Sequence, residues 1–135
     1  MSAGTDHPQT AATGTGPRRT VISVDAMGGD RGPGAVVSGL AKSARKNPDN
    51  AFILHGDAAQ LSALVAKAPE LADRVDIRHA EGVVSMSDKP AQVLRIGKGS
   101  SMWSAIEAVR DQEAQVAVSC GNTGALMVLS MMRLR

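Results

Sequence analysis

From Thr20 onward the chain alternates short apolar runs with longer stretches in which apolar residues recur at helical spacing. Val21-Ile22-Ser23-Val24 is a β-branched run that stops at Asp25-Ala26-Met27-Gly28-Gly29-Asp30, and it predicts a first strand. Pro33 suits a first helical turn, where its missing N–H removes no intrahelical bond. Val36, Val37, Leu40, Ala41 and Ala44 follow on one helical face, and Asn47-Pro48 closes that helix. Phe52-Ile53-Leu54 predicts a buried second strand, and Gly56-Asp57 opens a helix carrying Leu61, Leu64, Val65 and Ala68. Val75 and Ile77 alternate with polar neighbours, as in a half-exposed third strand.

A polar connection from Glu81 to Pro90 leads to a short helical segment around Val93 and Ile96, which Gly97-Lys98-Gly99-Ser100-Ser101 breaks. Met102, Trp103, Ile106 and Val109 mark another helix. Val116-Ala117-Val118 predicts a fourth strand, followed by Ser119-Cys120-Gly121-Asn122-Thr123-Gly124 and an apolar helix. Such alternation means βαβ units, hence an α/β fold with a mostly parallel sheet and helices on both faces. The last helix is apolar almost all round, a pattern expected of a helix buried between other elements. With no Gly or Pro stop after it, the fold is expected to be incomplete at the C-terminus. Residues 1–19, rich in Thr, Gly, Ala and Pro, read as a disordered tail. Residues 20–135 read as the N-terminal portion of one α/β domain.

Composition narrows the picture. At 43% apolar residues a core is affordable, but one Phe, one Trp and no Tyr leave it to Ala, Val, Leu, Ile and Met. The methionines between Met102 and Met132 accordingly read as core filler. Few aromatics also argue against base-stacking modules, and a net charge of +2 with no basic run longer than two residues argues against a nucleic-acid partner. The single cysteine, Cys120, excludes an internal disulfide and reads as a small buried residue. His55 and His79 fall at strand ends, and no metal or other cofactor is expected. Met1 to Thr20 holds no apolar core of a signal peptide, and Ala125 to Met132 is far shorter than the about 20 residues of a membrane span. The chain therefore reads as cytoplasmic.

In doubly wound sheets ligands bind beyond the carboxyl ends of the strands. Asp25 to Asp30 and Ser119 to Gly124 both lie between a strand end and a helix start, where free N–H groups favour an anion. Plain tight turns with Asp and Asn caps explain the same residues, and both readings stay open at this level. The Gly97–Ser101 loop is a third candidate, with Lys98 facing an anion, or simply a connection with a serine cap. Nucleotide signatures fail. Gln92 stands where a Walker loop needs its first Gly, and Gly32-Pro33-Gly34 continues to Val37 instead of a third Gly.

The segments together resemble the bacterial acyl-acyl-carrier-protein:phosphate acyltransferases. The resemblance is carried by Val24-Asp25-Ala26-Met27-Gly28-Gly29-Asp30, Met86-Ser87-Asp88-Lys89-Pro90, Ser100-Ser101-Met102 and Ser119-Cys120-Gly121-Asn122-Thr123-Gly124-Ala125. It covers nearly everything from Val21 to the end. Arg31-Gly32-Pro33 departs from the family's usual His, small residue and Pro, and Cys120 replaces a usual Ala. The resemblance implies an isocitrate/isopropylmalate dehydrogenase-like fold and acyl transfer from acyl carrier protein to inorganic phosphate, for phospholipid synthesis. It further implies a homodimer and peripheral association with the membrane surface. On this basis Asp30 and Asn122 are the expected catalytic residues. Gly28, Gly29, Ser100, Ser101, Gly121, Thr123 and Gly124 are expected to bind phosphate or substrate. A phosphate acetyl- or butyryltransferase using coenzyme A thioesters, and a non-catalytic phosphate-binding module, are the competing expectations.

Overall fold

The computed structural model describes residues 19–134, so the expected disordered tail lies outside the described residues apart from Arg19. The order of elements is β1 (Thr20–Asp25), α1 (Gly32–Lys46), β2 (Asn50–Gly56), α2 (Ala58–Ala66), β3 (Val75–His79), α3 (Pro90–Ile96), α4 (Ser101–Arg110), β4 (Val116–Ser119) and α5 (Thr123–Arg133). A 3-10 turn at Pro69–Leu71 follows α2, because Pro69 has no N–H to continue the helix. The four strands form one sheet in the order β3-β2-β1-β4, and every pairing is parallel.

Register decides which side chains face which helices. Ile22, Val24, Phe52, Leu54, Val75 and Ile77 lie in aligned rows on one face, where α1 and α2 cover them with Val37, Ala41, Ala44 and Leu61. Val21 and Ile53 point the other way, against Ala108, Val109 and Ala114. Helices on both faces explain why the central strands read as largely apolar runs and not as alternating patterns. A third cluster, Val84, Val93, Met102, Ile106, Ala125 and Leu129, joins α3, α4 and α5. The Arg133 guanidinium reinforces that junction: it donates to both carboxylate oxygens of Glu107, at 2.6 and 3.0 Å, and lies 4.9 Å over the Trp103 ring. Arg74 ties the opposite end of the sheet, donating to Ala44 O, Asn47 O and Asn50 O, so it caps the last carbonyls of α1 and holds the entry to β2.

Two expectations fail here. Of the methionines from Met102 onward, only Met102 is buried; Met127, Met131 and Met132 are exposed. Among the described residues helix α5 packs mainly on α3 and α4, so Ala125 and Leu129 are covered while Met127, Met131 and Met132 are not. Cys120 is exposed, because it sits on the turn beyond β4 and not within the strand. The two sheet edges also differ. β3 displays Asp76 and Arg78, whereas β4 displays Val116 and Val118, which are 45% and 42% exposed. Among the described residues no helix is long and apolar enough to cross a membrane.

Candidate functional site

The chain leaves β1 toward β2 and β3, then crosses back to place β4 on the other side of β1. The reversal puts the switch point between the carboxyl ends of β1 and β4, the place where open α/β sheets bind ligands. Both glycine-rich turns identified in the sequence lie there.

Asp25, the last residue of β1, organises this rim. It is 2% exposed, and its Oδ1 accepts from Ser101 Oγ at 2.5 Å and from Met27 N at 3.2 Å. Its Oδ2 accepts from Ser119 Oγ at 2.8 Å. Ser119 Oγ in turn accepts from Gly121 N at 3.0 Å. One carboxylate thus joins the end of β1, the first turn of α4 and the turn after β4. It satisfies the hydroxyls around it, and a buried acid needs such partners.

The two turns interlock at their glycines. A Cβ on Gly28 would stand 2.6 Å from Asp25 Oδ2 and 3.0 Å from Gly121 N, so no larger residue fits without displacing the hub. Gly29 has φ +95° and passes within contact of Cys120. Asp30 stands exposed one residue further on, at the entry to α1. Ser100 caps α4 by accepting from Trp103 N at 3.1 Å, while Ser101 is buried on Asp25. Thr123 is exposed at the first position of α5, and Gly124 packs beside Pro90. The first turns of α1, α4 and α5 therefore open onto one rim.

Asn122 is fully occupied. Its Oδ1 accepts from Ala125 N at 3.1 Å and caps α5; its Nδ2 donates to Ser85 O at 3.1 Å and Asp88 O at 2.7 Å. The amide therefore clamps the 85–88 segment against the start of α5. Lys98 lies in the field of Glu107 on α4, where it helps hold that carboxyl below its ordinary range behind the larger effect of Arg133.

The sequence reading missed a polar core beneath the rim. Register places Arg78, His55, Asp25 and Ser119 in one row across the sheet, on the face that meets α4. His55 is buried at 1% exposure, with Nε2 2.9 Å from Ser23 Oγ and Nδ1 2.7 Å from Ser104 Oγ. Ser23 Oγ donates to Ala105 O at 2.8 Å, which leaves it to accept from Nε2–H, so Nδ1 accepts from the Ser104 hydroxyl. Burial, reinforced by the nearby Arg78 guanidinium, lowers His55 to about 4. The imidazole is neutral at pH 7 and bolts α4 to β1 and β2. One signal for this network was present in the sequence: Ser23 and His55 are polar residues inside otherwise apolar strands.

A protein-family model described as "Fatty acid synthesis protein" matches residues 20–135, almost all of the described chain. The chain belongs to this family. Among curated relatives, a phosphate acyltransferase of Cereibacter sphaeroides is 64% identical over 126 residues, covering 93% of this chain and 34% of that protein. The phosphate acyltransferase of Dinoroseobacter shibae is 62% identical over all of this chain and 37% of its own length. That of Paracoccus denitrificans is 66% identical over 85% of this chain and 31% of its own length. The chain thus spans about a third of the length of the curated relatives it matches.

Proposed function

We propose that this segment carries the phosphate-binding rim of an acyltransferase that moves a fatty acyl group from acyl carrier protein to inorganic phosphate. The observation that supports it most is the interlock of the Gly28 and Gly121 turns at the strand switch point, tied together by Asp25. The name phosphate acyltransferase on the relatives points the same way. In this reaction a phosphate oxygen attacks the thioester carbonyl, the C–S bond breaks, and the products are an acyl phosphate and the carrier thiol. It needs a positioned anion, donors for the oxyanion and exclusion of water, but no covalent enzyme intermediate.

In this reading backbone N–H groups of Gly28, Gly29, Thr123 and Gly124, with the Ser100 and Thr123 hydroxyls, hold phosphate, and Gly121, whose N–H is given to Ser119 Oγ, lets the backbone approach closely. Ser101 fixes the α4 turn through Asp25. Asp30, exposed beside Gly29, takes or relays the phosphate proton. Asn122 contributes by keeping its turn in register against the 85–88 segment. The fuller protein would adopt a dehydrogenase-like version of the parallel α/β fold, act as a homodimer in the cytoplasm and touch the membrane peripherally.

The test is phosphate-dependent release of free thiol from acyl-acyl carrier protein by the full-length protein containing this segment, with a coenzyme A thioester as the parallel substrate. Release that stops when phosphate is omitted supports the reading. Release from coenzyme A alone would transfer it to the acetyl- or butyryltransferase class, and phosphate binding without any release would leave a binding module.

A further inference from the structure

An open groove of about 330 Å³ borders the rim on the side of β2 and β3, lined by Met27, Asp57, His79, Ala80, Glu81 and Val83. Met27, the residue before Gly28, connects groove and rim. It lies across the end of β2, where a Cβ on Gly56 would fall 2.5 Å from Met27 Cγ and 2.7 Å from its sulfur. Gly56 therefore lets the Met27 side chain form a wall of the groove. Ala80, tied to β2 by its N–H to Gly56 O at 2.9 Å, and half-exposed Val83 add apolar surface. The rest of the lining is polar. Asp57 caps α2 through Gln60 N at 3.1 Å, and His79 Nδ1 accepts from Ala58 N at 3.1 Å, which turns Nε2 toward the Glu81 carboxylate 3.6 Å away.

This mixture constrains the occupant. A long aliphatic chain would strip water from Asp57 and Glu81 without replacing its hydrogen bonds, and a phosphate would meet two carboxylates. A neutral chain alternating methylenes with amides suits both halves of the lining. At about 330 Å³ the groove is at the small end of ligand pockets, which run from about 300 to about 1,000 Å³, so it accommodates one arm of a thioester and not the whole substrate. We propose that this groove receives the pantetheine arm of the thioester donor and delivers its sulfur end past Met27 to the Gly28–Gly29 turn. The proposal rests on the acyl-transfer reading. The arm is common to coenzyme A and acyl carrier protein.

The test is an amide NMR titration of the ¹⁵N-labelled full-length protein containing this segment with pantetheine and, separately, with inorganic phosphate. Pantetheine is expected to shift the amides of Asp57, Ala80, Glu81 and Val83, and phosphate those of Gly28, Gly29 and Gly121. Val83→Trp, at a half-exposed position that tolerates bulk, is expected to weaken pantetheine about tenfold, or about 1.4 kcal/mol. An unchanged peak dispersion shows that the variant is folded. Repeating the titration with coenzyme A and with pantetheine-bearing carrier protein identifies the source as whichever shifts the same amides at lower concentration. Pantetheine shifts that are absent, that fall elsewhere, or that survive Val83→Trp would overturn the groove assignment. Failure of phosphate to shift the glycine turns would instead overturn the proposed function.

Discussion

Acidification should unfasten the buried His55 bolt, and the size of the effect follows from its surroundings. The unfolded chain takes up a proton on this imidazole near pH 6.5, whereas burial and Arg78 delay it in the folded state to about 4. The unfolded state therefore binds more protons between those values. Stability from this group is complete above pH 6.5, falls as pH drops toward 4, and changes no further below that. A gap of about 2.5 pH units at about 1.36 kcal/mol each corresponds to about 3 kcal/mol. That is a large share of the about 5–15 kcal/mol typical of a domain. The assay is urea unfolding at a series of pH values from 7 to 4, for the native chain and for His55→Gln. Glutamine does not titrate but keeps an amide donor for Ser23. Asp25, Asp76 and Glu113, whose charges also act on His55, are present in both proteins, so the difference between the two curves isolates the imidazole. Parallel losses of stability in both chains across this window would refute the reasoning.

Three further outcomes follow from individual contacts. Gly28→Ala is expected to cost about 1–3 kcal/mol and to abolish phosphate-induced shifts in the turns, while Gly34→Ala, with nothing within 4 Å, should stabilise α1 by about 0.5–1 kcal/mol; thermal melts of the two compare a tight and an open glycine. Asn122→Asp keeps the α5 cap but turns a carboxylate toward Ser85 O and Asp88 O, and a loss of about 2–3 kcal/mol with faster proteolysis at residues 85–88 is expected. Arg74→Lys keeps the charge but not the fork that reaches three carbonyls, so the melting temperature should fall by the equivalent of about 1–3 kcal/mol, and an unchanged melt would remove Arg74 from the account.

Local chemistry made the elements readable: a β-branched run for β1, an apolar run for β2, Pro33 at the head of α1, and glycines where strands hand over to helices. Those same glycines exposed the rim, because a strand–turn–helix junction leaves backbone donors free whatever the rest of the fold does. What stayed hidden was long-range. Nothing near Asp25 announces that Ser101 will meet it, 76 residues away, nor that His55 will lie beside it in a row ending at Arg78. The strand order depends on where α4 packs, which periodicity does not encode. Cys120 and the late methionines were misread for a related reason. An apolar residue type reports what a position can tolerate, while its exposure is decided by whether another element arrives to cover it.

The contrast between the two sheet edges has a consequence for handling the chain in solution. β3 is guarded by charge, but β4, the outer strand on the other side among the described residues, stands beside two exposed valines. Such an edge is a template for any passing extended peptide. Concentrated samples of the 135-residue chain should therefore be sticky, turning to oligomers through backbone pairing that salt does little to suppress and that a lysine at Val118 would discourage.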